Sequence, residues 1–225
     1  ALYFTVTDTR ASLSGEPGFG SDSAIGVATS SSPAGPWNVQ EEPAAQEGQT
    51  SAAPETRRQD DTPGEALAAY SDDFEDGLGS GWFWVREPAA GTWGVDGGAL
   101  WMDTQATELH QDDDTAGVLL REAPPGDFVV EAELRFDLPA EGCCWDFAQA
   151  GLVLYVDDDR YSKLVHVSIG ATRQTEFAKE VTARESGWPR FGGSGAGPPG
   201  DTTILRMVRR VYGEQERYTA YTRAD

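Results

Sequence analysis

The sequence predicts an all-β protein built around an antiparallel β-sandwich. The run Phe128–Phe136 alternates well, so that the apolar residues at every second position from Phe128 share one face. The apolar, β-branched runs Gln149–Tyr155 and Lys163–Ile169 flank the short acidic turn Asp157–Asp159, which is typical of a hairpin. Three adjacent strands with one buried face each predict an antiparallel sheet, and a second sheet must then cover it.

The opposite face of the first of these strands is expected to be largely solvated. It carries one apolar side chain and three charged ones, Val129, Glu131, Glu133 and Arg135. Many Gly and Pro residues, 26 and 13 among 225, fit short strands that are joined by tight turns. The bulk composition and the local periodicity therefore agree.

The net charge of −21 excludes two classes of partner. Phosphate backbones and anionic membrane surfaces would repel such a chain, so no nucleic acid and no membrane partner is expected. No apolar run approaches the ~20 residues that a membrane-spanning helix needs. The chain opens without a methionine, inside a strand-like run, and this favours a piece of a longer protein.

Two stretches resemble parts of one enzyme family. Ile25–Trp37, which reads IGVATSSSPAGPW, resembles the segment that closes a blade in the five-bladed β-propellers of glycoside hydrolase family 43. The signals from Ser71 to Arg210 resemble the concanavalin A-like sandwich, a jelly-roll, that follows such propellers. They are, in order, the segments at Trp82–Trp84, Gly98–Met102, Gly117–Leu120, Phe128–Val130, Gln149–Tyr155 and Ile204–Arg210.

The resemblance implies three regions. Residues 1–38 are expected to be a partial propeller blade, residues 39–69 a Pro-, Glu- and Ala-rich linker, and residues 70–225 the sandwich without its last strands. It also implies a secreted, bacterial parent enzyme, an inverting arabinofuranosidase or β-xylosidase that acts on plant polysaccharide. The chain itself is expected to be an accessory domain beside that propeller. A stand-alone carbohydrate-binding module and a purely structural domain are the alternatives.

The sequence offers no catalytic residue for hydrolysis, which needs two suitably placed carboxylates. The family draws its acids from several blades, and only one blade segment is recognisable here. Within the sandwich, Glu131, Glu133 and Asp137 have neither the spacing nor the order of a catalytic strand. Hydrolytic activity is therefore expected of the parent enzyme and not of this piece.

Four residues are candidates for binding an oligosaccharide. Trp82 and Trp84 share one side of a strand, where their rings could stack on a sugar or pack in the core. Arg86 beside them could donate to vicinal hydroxyls or pair with a carboxylate. Tyr161, which follows the acidic turn, is expected to be exposed.

Structural Ca²⁺ is the only cofactor that the sequence suggests, because aspartate oxygens are its preferred ligands. The candidate ligands are Asp72, Asp73, Asp157 and Asp159, and a solvated acidic turn is the alternative at each position. His166 is expected to be a packed histidine within a strand.

Two further features carry structural predictions. The adjacent Cys143 and Cys144 are either two thiols or a strained vicinal disulfide. The run Gly192–Gly200 lacks the lysine and the following helix of a phosphate-binding loop. It is therefore expected to be a flexible connection between strands.

Overall fold

The computed structural model describes residues 3–8, 27–29, 38–39, 61, 63–136, 147–169, 172–181, 190–196, 200, 202–212 and 215–224. These residues form β-strands and one short 3₁₀ helix, Ala68–Tyr70. Over the same ranges, no helix has the length and apolarity required to cross a bilayer. The predicted all-β, concanavalin A-like sandwich with antiparallel sheets is confirmed.

The larger sheet has six strands, numbered here in chain order. Across the sheet they are β1 (Tyr3–Asp8), β10 (Phe128–Arg135), β15 (Thr202–Tyr212), β16 (Gln215–Ala224), β2 (Val27–Thr29) and β3 (Asn38–Val39). All neighbours are antiparallel except β16 and β2. Strands from residues 1–38 therefore join the same sheet as β10 and β16, while the origin of that segment in a propeller blade stays a prediction.

The smaller sheet has four strands in sequential order. They are β11 (Gln149–Asp157), β12 (Arg160–Ile169), β13 (Thr172–Glu180) and β14 (Phe191–Ala196). The predicted hairpin is confirmed, because β11 pairs antiparallel with β12 and Asp157 lies opposite Arg160. Asp158 and Asp159 form its two-residue turn.

Three two-stranded ribbons complete the described part of the fold. They pair β4 (Trp82–Val85) with β9 (Val118–Arg121), β5 (Trp93–Asp96) with β6 (Ala99–Met102), and β7 (Leu109–His110) with β8 (Asp113–Asp114). The sequence signals at Trp82–Trp84, Gly98–Met102 and Gly117–Leu120 correspond to β4, β6 and β9. The ribbons contact the smaller sheet at two points. Arg86, which follows β4, donates to Asp158 in the hairpin turn, and the Gln111 backbone between β7 and β8 donates to Glu180.

The main core lies between the two sheets. β10, β15 and β16 contribute Phe128, Val130, Ala132, Leu134, Leu205, Met207 and Ala220, and the smaller sheet contributes Leu152, Leu164 and Phe177. The alternation predicted for β10 is therefore correct for its inner face. The three strands at the centre of the prediction do not share a sheet, however: β10 lies in one and β11 and β12 in the other. Periodicity identifies a buried face but not the sheet that provides it.

The expectation that the second face of β10 is largely solvated is wrong at one position. Val129 is fully buried, and it packs with Val208 and Tyr221 on the outside of the six-stranded sheet. Asp61 lies over the same face, where its carboxylate accepts a hydrogen bond of 2.7 Å from Arg210 and also contacts the Tyr221 hydroxyl. The sheet thus carries a second, smaller apolar cluster beneath a residue of the predicted linker.

The glycine-rich run also differs from expectation. Residues 191–196 form the edge strand β14, in antiparallel register with β13. At Gly193 a β-carbon would lie 2.8 Å from Ala178 Cβ, so a larger residue would push the two strands apart. Glycine here permits close strand pairing, which local composition alone does not distinguish from a flexible loop.

Candidate functional site

Asp72 is a structural hub at the start of the sandwich. Its Oδ1 accepts a hydrogen bond of 2.9 Å from the backbone of Phe74, and its Oδ2 accepts one of 2.9 Å from Gly79 and one of 2.8 Å from Trp82 Nε1. Arg121 Nη1 lies 4.0 Å from the same oxygen. Both carboxylate oxygens are therefore occupied by protein donors, and the turn brings the buried Phe74 into the interior.

The tryptophan pair packs against the protein. The ring centroids of Trp82 and Phe74 are 6.2 Å apart, and the Arg121 guanidinium lies over the Trp82 ring. Trp84 meets Trp93 edge-on, with 4.9 Å between the ring centroids. The predicted alternation is correct, since Phe83 between them is 47% exposed. These contacts favour packing over sugar stacking for Trp82 and Trp84, although their role in binding stays a prediction.

Arg86 pairs with the turn of the β11–β12 hairpin. Its Nη1 and Nη2 donate to the two carboxylate oxygens of Asp158 at 2.8 and 2.7 Å, and its Nε donates to the Ala116 carbonyl at 2.8 Å. The Tyr155 hydroxyl donates a further bond of 2.7 Å to Asp158. Hydrogen bonds from Arg86 hold the pKa of Asp158 below its usual range, and burial together with Asp158 raises the pKa of Tyr155 to about 12.

Tyr161 is buried, at 3% exposure, so the expectation that it is exposed is wrong. Its hydroxyl lies 2.6 Å from the Leu109 carbonyl oxygen and 3.1 Å from Glu180 Oε2, and it can donate its one proton to either. The backbone of Gln111 also donates to Glu180 Oε2, at 2.9 Å. The β7–β8 ribbon covers this end of the smaller sheet and removes the phenol from solvent.

Arg190 joins three carboxylates around the same turn. Its Nη1 donates to Asp112 at 2.7 Å, its Nη2 contacts Asp159, and its Nε lies 3.1 Å from the buried Oε1 of Glu180. Its Nη2 also donates to the Gln111 carbonyl at 2.7 Å. We refer to Arg86, Tyr155, Asp158, Asp159, Tyr161, Glu180 and Arg190 as the hairpin-turn network.

Asp114 lies at the edge of this network. Its Oδ1 is buried and accepts no hydrogen bond within the described part of the chain. Burial raises the pKa of Asp114, and the nearby charges of Asp158, Asp159 and Glu180 raise it further. One carboxyl with a raised pKa beside one with a lowered pKa is a pairing found in acid–base sites. Here the second carboxyl, that of Asp158, is engaged on both oxygens, so it is not free to accept a proton from a substrate.

The aspartates predicted to bind calcium are engaged by protein donors. Asp157 contacts Arg160, Asp159 contacts Arg190, and Asp73 accepts a backbone hydrogen bond of 3.2 Å from Glu75. In the described ranges, His, Cys, Asp and Glu side chains do not gather in a group of three or more that could hold a metal ion. Structural Ca²⁺ stays a prediction. Cys143 and Cys144 lie outside the described residues.

The structure brings only part of the predicted set together. Arg86 and Asp159 meet at the hairpin-turn network, while Asp72 and Trp82 form a separate hub. Sequence reasoning missed Glu180 and Arg190, whose partners Gln111 and Asp112 lie far away in the chain and leave no local pattern. His166 is fully buried within β12, with the Phe136 ring 6.1 Å away, as predicted for a packed histidine.

The family described as the beta xylosidase C-terminal concanavalin A-like domain matches residues 71–188. That range covers just over half of the 225 residues. The chain belongs to this family. Comparison with curated proteins and with solved structures gave no match.

In this member of the family the matched residues extend from the Asp72 hub to residue 188, so they contain the first three strands of the smaller sheet, β11 to β13, but not β14. They include the whole β11–β12 hairpin, Arg86, which binds Asp158 in its turn, and Asp112, which pairs with Arg190. The resemblance that the sequence suggested for the C-terminal region is confirmed at the level of the family. β15 and β16 lie beyond the matched range, and they complete the larger sheet.

Proposed function

We propose that this chain is the accessory, non-hydrolytic sandwich of a secreted family 43 glycosidase that acts on arabinose- or xylose-containing plant polysaccharide. Hydrolysis would take place on a propeller domain of the parent enzyme, and the sandwich would pack against that domain or help to hold substrate. The family match over residues 71–188 carries the proposal, because the family is described as the C-terminal domain of beta xylosidases.

The environment of the carboxylates in the hairpin-turn network supports the proposal that this chain does not itself hydrolyse glycosides. A glycosidase needs one carboxyl that can donate a proton and a second that can act on the other face of the sugar. Asp158 accepts from Arg86 and Tyr155, and Glu180 is 0% exposed beneath the β7–β8 ribbon. The Asp158 side chain is 29% exposed, but both of its oxygens are occupied by these donors, and the buried Glu180 is out of reach of a glycosidic bond. This favours a structural role for the network.

The test is to assay the purified chain on aryl α-L-arabinofuranosides and β-D-xylosides. We expect no turnover above the uncatalysed rate. Asp158→Asn and Glu180→Gln are the informative variants, because they neutralise the two network carboxylates that accept hydrogen bonds from more than one residue. Turnover by the wild-type chain that either substitution abolishes would contradict the proposal.

A purely structural role is the second candidate, and the packing of the tryptophan pair favours it. Trp84 Nε1 is buried and donates to no described acceptor, while its ring contacts Trp93. In that case arabinan, xylan and arabinoxylan would not retard the chain in affinity electrophoresis. Trp84→Ala would then lower the stability without changing migration.

A further inference from the structure

We infer that Trp101, on the solvent side of the β5–β6 ribbon, is the stacking platform of a binding site for neutral pentose saccharides. This inference deepens the proposed function and rests on it, since it assigns the substrate-holding role to a particular surface. It differs from the sequence prediction, which placed sugar binding at Trp82 and Trp84.

The pairing of the ribbon decides which side Trp101 occupies. Trp93 lies opposite Met102, Gly94 opposite Trp101, and Val95 opposite Leu100. Leu100 is buried at 4% exposure and Trp93 meets Trp84, so the side that they share faces the protein, while Met102 at the end of that side is 47% exposed. Side chains alternate along each strand, and Trp101 therefore lies on the other side, at 41% exposure.

The indole of Trp101 packs against Gly94 on the neighbouring strand. A β-carbon at Gly94 would lie 3.0 Å from Trp101 Cζ2 and 3.1 Å from both Cε2 and Nε1, so the indole occupies the space that a side chain would fill. The ring is supported by the neighbouring strand while much of it remains in water. A supported, exposed tryptophan is a low-entropy anchor for a ligand, because little of its freedom is lost on binding.

The polar side chains nearby suit a neutral sugar. Asp96 and Asp103 are exposed and lie at positions on the same side of the ribbon as Trp101. Gln105 is also exposed, and its Nε2 donates to the Thr92 hydroxyl at 3.1 Å. Carboxylate and amide oxygens accept hydrogen bonds from sugar hydroxyls, while the indole face contacts the apolar face of the ring.

Charge decides between neutral and acidic saccharides. Two carboxylates flank the platform, and the whole chain carries a net charge of −21. Uronic acid residues would be repelled, whereas arabinose and xylose units carry no charge. The charges therefore favour a neutral polymer and disfavour polygalacturonate, and under the proposed function that neutral polymer is arabinan or linear xylan.

The experiment is affinity electrophoresis of the full 225-residue chain in gels that contain arabinan, linear xylan or polygalacturonate. We expect a neutral polymer to retard the wild type and polygalacturonate to leave its migration unchanged. Trp101→Ala should weaken the retardation roughly tenfold or more, as truncation of an aromatic anchor does. Met102→Ala and Phe83→Ala remove side chains that are each 47% exposed and lie elsewhere, so they should migrate as the wild type.

A second measurement separates binding from folding, since the indole also covers Gly94. In a ¹H–¹⁵N spectrum, Trp101→Phe identifies the indole signal of Trp101 among those of the seven tryptophans. Titration of the wild type with xylohexaose or an arabino-oligosaccharide should shift that signal. Saturable binding that leaves the Trp101 signal unmoved would overturn the inference even if Trp101→Ala does not fold.

The outcomes distinguish this inference from the proposed function. Equal retardation of Trp101→Ala and the wild type would overturn the platform alone. Absence of retardation of the wild type in every gel would overturn both the platform and the substrate-holding role. Stronger retardation by polygalacturonate than by either neutral polymer would contradict the specificity for neutral sugars.

Discussion

The space between the two sheets is closed to water, whereas the hairpin-turn network is partly open to it, and different forces hold the two regions together. Between the sheets, aliphatic and aromatic side chains such as Phe177 and Leu205 remove apolar area from solvent. At the network, Arg86 and Arg190 bind carboxylates from three separate elements. Apolar packing depends on volume and tolerates many partners, whereas the network depends on particular pairs of atoms.

The two regions are expected to respond differently to the removal of one side chain. Loss of a core side chain leaves a cavity whose cost grows with its volume. Loss of a network member leaves a buried donor or charge without its partner, and the cost depends on how far that group remains from water. Single substitutions in each region separate these two responses.

Phe177→Ala should have the largest effect. Phe177 is 5% exposed and packs in the main core, so its truncation should lower the free energy of unfolding by about 3–5 kcal/mol. Urea unfolding at pH 7, monitored by tryptophan fluorescence, measures the loss. Phe83→Ala is the control, because Phe83 is 47% exposed and should cost a small fraction of that amount. Similar losses for the two variants would contradict this assignment of the core.

Glu180→Ala should lower the free energy of unfolding by about 2–4 kcal/mol, because it leaves one donor without an acceptor and removes a buried carboxylate from Arg190. The donor is the Gln111 backbone N–H, 2.9 Å from Oε2, and Arg190 Nε lies 3.1 Å from Oε1. The Tyr161 hydroxyl keeps the Leu109 carbonyl oxygen at 2.6 Å as an acceptor. Tyr161→Phe removes a single hydroxyl and should cost about 1 kcal/mol. If Glu180→Ala costs no more than Tyr161→Phe, the carboxylate is not the centre of the network.

Arg86→Met should lower the free energy of unfolding by about 1 kcal/mol at pH 7, a charge-assisted pair discounted for partial exposure. It should also change the pH dependence. The folded pKa of Asp158 lies below its unfolded value, so the stabilisation is present above the unfolded value of about 4 and is lost as the pH falls through the folded value.

Urea unfolding of wild type and Arg86→Met at several pH values between 2 and 7 tests this dependence. The variant should lose less stability than the wild type on acidification. Arg160→Met is a matched control, because the Arg160–Asp157 pair is about half exposed and should alter the acid limb less. Parallel curves for the wild type and Arg86→Met would show that Asp158 does not depend on Arg86.

Asp114→Asn should have the smallest effect and the opposite sign. The pKa of the Asp114 carboxyl is raised in the fold, so stability is complete below its unfolded value and declines as the pH rises through its folded value. The neutral amide removes this loss, and the variant should be slightly more stable than the wild type at pH 7 but not at pH 3. Asp113→Asn, its exposed neighbour, should show no such crossover in thermal unfolding.

The contrast between the two regions also explains which parts of the structure local sequence predicts well. The inner face of β10 follows from alternation, and so does the arrangement of Trp82, Phe83 and Trp84. Alternation is a local property with a period of two residues. It does not reveal that the outer face of β10 is also covered at Val129, because that depends on what another segment places there.

The all-β class, the β11–β12 hairpin and the resemblance to the sandwich family can be predicted without a structure, because these depend on residues close together in the chain. Tertiary structure alone decided the pairing of Arg86 with Asp158, which are 72 positions apart, and the burial of Tyr161 beneath the β7–β8 ribbon. It also decided that Trp101, and not Trp82 or Trp84, presents much of its indole to solvent. Strand order and the packing of the ribbons select these neighbours, and the local periodicity of the sequence encodes neither of them.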